Sequence, residues 1–163
     1  KPAELANFGF GQGKLTANSL QVSQLVLSVV NQGRVKTPTL VLGTTEDGET
    51  LTKTDGGQDA EVIAMSEETA QQLHDYLVQV VEAPENASAK PNQTSAGGKS
   101  ATAQTGKYDD NGVEICQTWF TGFFPAEDPK YVVTVLVEGG DSGSATAGPV
   151  FAQIADAITL LNR

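Results

Sequence analysis

The chain has 163 residues, of which 39% are hydrophobic and 18% charged, and these proportions suit one folded domain rather than a disordered segment. The formal net charge of −10 argues against nucleic acid or an anionic membrane as the main partner, and no apolar run reaches the roughly 20 residues of a membrane span. With one cysteine, Cys116, and one histidine, His74, the chain can form no intrachain disulfide and lacks the ligands of a zinc site, so no cofactor or metal is expected.

The first long helix is predicted over Thr16 to Gln32, where apolar residues recur with helical spacing. These residues leave little polar face, so we expect the helix to be mostly buried. Thr16 or Asn18 is suited to cap its start, and Gly33 is placed to end it. The glycine cluster Gly9-Phe10-Gly11-Gln12-Gly13 lies just before this helix, but no strand is predicted ahead of it, which argues against a dinucleotide site.

Two short strands, Thr37 to Leu42 and Glu49 to Thr54, are predicted to form an exposed hairpin around a turn-rich segment. A second helix is predicted from Ser66 to Val81, with Ser66 as its cap. His74 lies beside the apolar stripe of this helix, and we expect a surface or boundary residue there rather than a catalytic base. The stripe consists of Ala70, Leu73, Leu77, Val80 and Val81.

Three sequential strands are predicted after a polar loop over residues 84–98. Short links make these strands antiparallel neighbours. The run of β-branched and aliphatic residues in the third strand is typical of a strand that is buried on both faces. The strands are Lys99 to Thr105, Val113 to Phe124, and Tyr131 to Glu138.

A loose loop is predicted over residues 139–148, and Pro149 is placed to open a terminal helix. The predicted fold class is therefore α+β, an antiparallel sheet flanked by helices. Residues 1–163 are expected to belong to one domain, with a helical part over about 1–97 and the sheet and terminal helix over about 98–163.

The segment Gly98-Lys99-Ser100-Ala101-Thr102-Ala103-Gln104, which we call the lysine box, lies at the head of the first of the three strands. Small residues let a ligand lie against the backbone, and a lysine with two hydroxyls suits a carboxylate. In a regular strand, one face carries Lys99, Ala101 and Ala103, and the other carries Ser100, Thr102 and Gln104. The segment resembles the Lys-Thr/Ser-Gly box of penicillin-recognising serine enzymes, except that Ala101 stands where that family has glycine.

Other segments extend this resemblance over nearly the whole chain. They occur in the same order in class B penicillin-binding proteins, the D,D-transpeptidases of the bacterial cell wall. The resemblance implies a partial penicillin-binding/β-lactamase-like transpeptidase fold that lacks its N-terminal strands and nucleophile helix. The matching pieces are Gly11-Gln12-Gly13, Leu20-Gln21, Asn31-Gln32-Gly33, Pro38, Val80-Val81, Trp119-Phe120-Thr121-Gly122-Phe123-Phe124-Pro125, Asp128-Pro129 and Pro149-Val150-Phe151.

Two motifs of that family do not occur in the sequence: Ser-x-x-Lys, which holds the nucleophile, and Ser-x-Asn or Tyr-x-Asn. In the family both lie upstream of the Gly-Gln-Gly turn. The chain therefore looks like the C-terminal portion of a transpeptidase domain. Taken alone it is expected to be inactive, and the missing N-terminal part of the same domain is its expected partner.

The resemblance also implies roles for the lysine box. In the family a serine attacks the stem peptide of peptidoglycan, or a β-lactam ring, and the resulting oxyanion needs two N–H donors. The backbone N–H of Thr102 is implied as one of them. The hydroxyls of Ser100 and Thr102 would bind the substrate carboxylate, while Lys99 would supply positive potential and orient the second motif. Ala101 and Gln104 complete the implied substrate-binding residues.

Two other interpretations remain open. A non-catalytic β-lactam sensor or a degenerate binding domain would share the fold, and the degenerate domain would lack the upstream serine. An unrelated surface-interaction domain of the α+β type would not place the lysine box on a strand beside a groove. Under the transpeptidase interpretation, the protein is expected at the extracytoplasmic face of a bacterial cell membrane, anchored through an upstream segment.

The resemblance has one further consequence for association. The family sheet has five strands, and the two that are absent here would join beside the Tyr131 strand. That apolar strand is then expected to be an unpaired edge, which is an aggregation or domain-swapping hazard. We therefore expect the chain either to self-associate through Tyr131 to Glu138 or to keep another piece of the protein bound.

Overall fold

The structure is a computed structural model that describes residues 2–9, 11–13, 15–41, 43–53 and 62–162. Within these ranges, none of the helices combines the length and the apolar character needed to cross a bilayer. The described helices and strands are α1 (Pro2–Gly9), α2 (Ser19–Val30), β1 (Arg34–Val35), β2 (Gly43–Thr44), β3 (Thr52–Lys53), β4 (Val62–Ile63), α3 (Glu67–Glu82), β5 (Gly97–Tyr108), β6 (Glu114–Phe124), β7 (Tyr131–Glu138) and α4 (Gly148–Leu161).

Strands β5, β6 and β7 form an antiparallel sheet in that order, as the sequence predicts. β7 has its predicted bounds, whereas β5 is longer than predicted at both ends. The register between β5 and β6 is unbroken from Gly97 to Gln104 and becomes irregular after Gln104. The side chains of the lysine box therefore alternate between the two faces of the sheet as expected.

Asp109 holds the turn between β5 and β6. Its carboxylate accepts hydrogen bonds from the backbone N–H groups of Val113 (2.8 Å) and Asn111 (2.9 Å). The bond from Val113, followed by the bond from Asn111, lowers the pKa of Asp109 below its usual value. The ionised carboxylate is thus favoured more in the folded chain than in the unfolded one.

This turn predicts a specific loss of stability in acid. The pKa of Asp109 is lower in the folded chain than in the unfolded chain. Its ionised carboxylate therefore contributes to folding stability above about pH 4, and this contribution is lost as the pH falls through the folded pKa. We expect Asp109→Asn to lower the melting temperature near neutral pH and to reduce the further loss on acidification, as followed by circular dichroism. Asp110→Asn, in the same turn, controls for the change in net charge. If acidification lowers the melting temperature of Asp109→Asn and of the unmutated chain by the same amount, this role of Asp109 is contradicted.

Helix α4 covers one face of the sheet with aromatic side chains. Phe120 of β6 packs against Phe151 of α4 with 4.8 Å between ring centroids, and both are fully buried. Gly122 permits this approach, because a Cβ there would lie 2.7 Å from the Phe151 ring. Pro149 lies in the first turn of α4, as predicted. The buried cluster comprises Val81, Ala89, Ala96, Phe120, Phe124, Val135, Ala147, Phe151 and Ala155.

Helix α2 packs on the opposite face and begins at Ser19 rather than at Thr16. Asn18 is its cap, because the side chains of Asn18 and Gln21 each accept a 2.9 Å hydrogen bond from the backbone N–H of the other residue. Gly33, at φ 82°, follows the helix end as predicted. The expectation that this helix is mostly buried is wrong, because Leu20 and Leu25 remain 50% and 63% exposed. Its buried residues are Val26, Ser28 and Val29.

The segment between α2 and α3 differs most from the prediction. The strands predicted over 37–42 and 49–54 are replaced by the two-residue strands β2 and β3, which pair with each other, and β1 pairs with β4. The last residue of each predicted strand lies outside the described residues. The Asp47 carboxylate accepts backbone hydrogen bonds from Glu49 (2.9 Å) and Thr50 (2.8 Å), so a side-chain-held turn occupies the start of the second predicted strand. The hairpin is largely exposed, as predicted.

The exposure of β7, the two loops predicted over 84–98 and 139–148, and the glycine cluster over 9–13 can also be compared with the predictions from the sequence. β7 is not buried on both faces: Leu136 is 38% exposed, because β7 pairs with one neighbour only among the described strands. The loop predicted over 139–148 contains a π-helical turn over 143–147, and the loop over 84–98 opens with a 3₁₀ turn. The glycine cluster over 9–13, of which residue 10 lies outside the described part, follows α1 rather than a strand.

Candidate functional site

The lysine box lies at an edge of the sheet, because β5 pairs only with β6 among the described strands. An edge strand leaves alternate backbone N–H and C=O groups open to a ligand. Lys99 is exposed, and its Nζ donates a hydrogen bond to the backbone oxygen of Ser100 at 2.6 Å. Lys99 forms no ion pair with a carboxylate in the described part of the chain, so its charge is available to an anionic ligand.

The two hydroxyls of the box lie on the face that α4 covers, because Ser100 and Thr102 stand opposite Phe120 and Thr118 of β6. Thr102 Oγ1 accepts a hydrogen bond from the backbone N–H of Gly143 at 3.2 Å. A hydroxyl that accepts in this way keeps its own hydrogen for donation to another oxygen. Thr102 is exposed and Ser100 is half-buried, so both remain accessible from the open edge.

The turn before α4 fits against the box through Gly143. A Cβ at this position would lie 2.5 Å from the backbone oxygen of Ala101 and 2.7 Å from its nitrogen, so a larger residue cannot approach as closely. The turn lies on the hydroxyl face, whereas the side chain of Ala101 belongs to the opposite face and is exposed. The methyl group at position 101 therefore leaves the register of β5 intact.

Gln104 contacts the hairpin rather than the open end of the box. Its Nε2 donates a hydrogen bond to Glu114 Oε2 at 2.9 Å, and the other oxygen of Glu114 accepts the backbone N–H of Gly106 at 3.0 Å. These contacts coincide with the point where the β5–β6 register becomes irregular. The structure thus places Lys99 on one face of the open edge and Ser100 and Thr102 on the other, and it ties Gln104 to the neighbouring strand.

His74 connects α3 to the sheet and is a half-buried boundary residue. Its ring stacks on Phe123 with 4.9 Å between centroids, Nε2 lies 2.8 Å from the Ala126 carbonyl oxygen, and Nδ1 lies 3.2 Å from Asp75 Oδ1. The hydrogen bond with His74, and then the one with Gln71, lowers the pKa of Asp75. These contacts account for His74 as a packing residue, as the sequence predicts.

Two side chains that the sequence analysis did not single out anchor the segment that leads into the box. The Asp156 carboxylate of α4 accepts the backbone N–H groups of Asn92 (2.8 Å) and Gln93 (2.7 Å). Ser95 Oγ accepts the backbone N–H of Ala126 (3.0 Å) and donates to Glu127 Oε2 (2.5 Å), and this last bond is the main cause of the lowered pKa of Glu127. The only sequence signal for these anchors is the polar composition of the predicted loop.

Comparisons with known proteins agree with this architecture. The family model described as the penicillin binding protein transpeptidase domain matches residues 3–156. The peptidoglycan D,D-transpeptidase MrdA of Haemophilus influenzae is 30% identical over 91% of this chain, and the stage V sporulation protein D of Bacillus subtilis is 32% identical over 94%. A crystal structure of penicillin-binding protein 3 from Mycobacterium tuberculosis, complexed with ampicillin, covers 98% of the chain with a TM-score of 0.80 at 22% identity.

The chain corresponds to part of such proteins. It spans 24% of the length of each of the two curated relatives and 38% of the solved chain. The family match excludes the interpretation as an unrelated surface-interaction domain. The mixed helical and antiparallel architecture, with the lysine box on its edge strand, agrees with the predicted fold class. The chain belongs to the penicillin-binding protein transpeptidase family and forms part of a transpeptidase domain.

Proposed function

We propose that the protein containing this chain is a peptidoglycan D,D-transpeptidase that cross-links stem peptides through an acyl-serine intermediate. The observation that carries this proposal is the open edge of β5, where the exposed Lys99 lies on one face of the strand and the hydroxyls of Ser100 and Thr102 lie on the other. A cation and two hydroxyl donors beside unpaired backbone groups suit a peptide that ends in a carboxylate. The names of the relatives support the same reaction class.

Five residues of the box have a place in this reaction. The stem peptide lies along the edge of β5, and its terminal carboxylate accepts hydrogen bonds from Ser100 and Thr102 in the potential of Lys99. The serine oxygen, supplied by the remaining part of the domain, attacks the penultimate D-Ala carbonyl carbon, and the terminal D-Ala leaves as the acyl-enzyme forms. The backbone N–H of Thr102 stabilises the oxyanion together with the N–H of the serine. Ala101 borders the bound peptide, and Gln104, whose side chain is bonded to Glu114, borders it at the hairpin end of the box.

β-Lactams are proposed as ligands of the same edge. Their carboxylate would replace that of the terminal D-Ala, and their ring carbonyl would be attacked by the same serine. A structural neighbour is complexed with ampicillin and another with aztreonam, which supports this proposal at the level of the fold. Because peptidoglycan is the proposed substrate, the domain is proposed to lie at the extracytoplasmic face of the bacterial membrane.

The remaining part of the domain is the proposed partner of β7. Among the described strands β7 pairs with β6 only, and it borders an apolar groove of about 300 Å³ between α2 and its own start. Leu20, Leu27, Tyr131 and Val132 are among its lining residues. An open apolar edge of this kind pairs readily with another strand. In the isolated chain, a second copy would take that place.

A comparison of the isolated chain with the full-length protein tests these proposals. A fluorescent penicillin should label the full-length protein covalently and leave the isolated chain unlabelled, because the chain contains no Ser-x-x-Lys nucleophile motif. Light scattering should show association of the isolated chain. If the full-length protein is not labelled, the proposed transpeptidase activity is contradicted and a degenerate binding domain is favoured. If the isolated chain is labelled, the proposal that the nucleophilic serine lies in the remaining part of the domain is contradicted. A monodisperse monomer would contradict the role of β7.

A further inference from the structure

A row of polar side chains crosses the sheet from the lysine box to α2. Lys99 of β5 stands directly opposite Thr121 of β6, which stands directly opposite Thr134 of β7. Directly opposed residues of an antiparallel sheet share one face, with about 5 Å between their Cβ atoms. The row therefore runs on the face that α2 covers and ends, at the open edge, at Lys99.

The hydroxyls of this row are joined to each other and to α2. Thr121 Oγ1 lies 2.8 Å from Thr134 Oγ1, which in turn lies 2.8 Å from Ser23 Oγ. Ser23 Oγ also donates to the backbone oxygen of Ser19 at 2.9 Å. These bonds join β6, β7 and α2, so their main expected contribution is to the stability of this packing.

The Thr121 hydroxyl retains the capacity to accept another hydrogen bond. A hydroxyl has one hydrogen and two lone pairs, and the contact with Thr134 uses one of these three, whichever threonine donates. Lys99 has matching donors to spare, because its ammonium group carries three N–H bonds and one is directed to Ser100. A lysine side chain spans the separation between opposed residues with ease, so Thr121 lies within its reach.

We propose that Thr121 is a positioning residue for Lys99. Its hydroxyl accepts a hydrogen bond from Lys99 Nζ when the substrate carboxylate is bound, and the register of the sheet, which sets Thr121 directly opposite Lys99, places that acceptor. A flexible lysine loses side-chain entropy when it is immobilised by an anion, and a pre-placed acceptor reduces this loss. The inference rests on the proposed function, because it assigns Thr121 to the same carboxylate site.

The test is the acylation rate of the full-length protein by a carboxylate-bearing fluorescent penicillin. Thr121→Val removes the acceptor at nearly constant volume, and we expect the second-order acylation rate constant to fall about tenfold, as for the loss of one hydrogen bond to a charged group. Thr121→Ser keeps the hydroxyl and should stay within about twofold of the unmutated protein. Thr121→Ala takes the place of the valine variant if that protein does not fold.

Thr134→Val is the matched control. It breaks the same hydroxyl pair from the other side but leaves the Thr121 hydroxyl on the residue directly opposite Lys99. We expect it to lower the melting temperature about as much as Thr121→Val while leaving the acylation rate within about twofold. Equal loss of acylation in both variants would reduce Thr121 to a structural residue, and an unchanged rate in Thr121→Val would overturn the proposal. Failure of the unmutated protein to acylate would instead refute the proposed function.

Discussion

Replacing Phe151 with alanine is expected to lower the free energy of unfolding by about 3–5 kcal/mol, the cost of deleting a buried aromatic ring from a packed core. Phe151 is fully buried and contacts two other rings, with centroids 4.8 Å from Phe120 and 6.1 Å from Phe124. The backbone below it cannot close the cavity easily, because Gly122 already lies against the ring and the sheet is held in register on both sides. Chemical denaturation of the isolated chain measures the loss.

The neighbouring residue supplies the control for this experiment. Val150 lies on the same turn of α4 and is 39% exposed, so Val150→Ala should cost less than about 1 kcal/mol. A similar loss in both variants would contradict the role of the aromatic contact, and helix propensity could not explain it, because alanine has a higher helix propensity than phenylalanine or valine. Because a domain is stable by about 5–15 kcal/mol, the alanine variant of Phe151 should lose a large share of the stability of the chain.

The aromatic cluster also bears on the lysine box. A Cβ at Gly98 would lie 2.7 Å from the ring of Phe120, so the backbone at the start of the box rests directly on that ring. Phe120 in turn packs against Phe151. The position of Lys99, one residue later, is therefore linked to the core through backbone contact rather than through its own side chain. Loss of Phe151 is expected to loosen the open edge together with the core.

Local signals in the sequence predict much of this arrangement. Strict alternation along residues 99–104 predicts the two faces of the box, and the apolar spacing after Ser66 predicts α3 with its cap. The sequence allows Thr16 or Asn18 as the cap of α2, and the reciprocal bonds between Asn18 and Gln21 identify Asn18. These features depend on residues within one or two turns of each other, which is the range over which sequence patterns are informative.

Contacts between distant segments are not visible in such patterns. Gly143 meets Thr102 across 41 positions of sequence, and Asp156 meets Asn92 across 64. The valine-rich pattern of β7 predicts burial, yet burial depends on how many strands and helices surround it, and Leu136 stays exposed at the edge of this sheet. Strand propensity predicts longer strands than β2 and β3. It does not reflect the hydrogen bonds from the backbone of Glu49 and Thr50 to Asp47, which place these two residues in a turn.

Replacing Lys99 with alanine is expected to slow acylation of the full-length protein by a carboxylate-bearing penicillin between about tenfold and a hundredfold. The range corresponds to the loss of one charge-assisted hydrogen bond, about 1.5–3 kcal/mol. Lys99 is exposed and forms no ion pair within the described residues, so its charge is not committed to the fold, and the melting temperature should change little.

Lys107→Ala provides a matched control for this variant, because Lys107 lies on the same strand, is also exposed, and stands near the hairpin turn away from the box. It changes the net charge by the same amount, so it separates the local role of Lys99 from the long-range field of a chain with a net charge of −10. Equal acylation rates in Lys99→Ala and Lys107→Ala would show that Lys99 has no local role in the site. A penicillin analogue without its carboxylate should react equally with Lys99→Ala and the unmutated protein, because the anion on which the lysine acts is then absent.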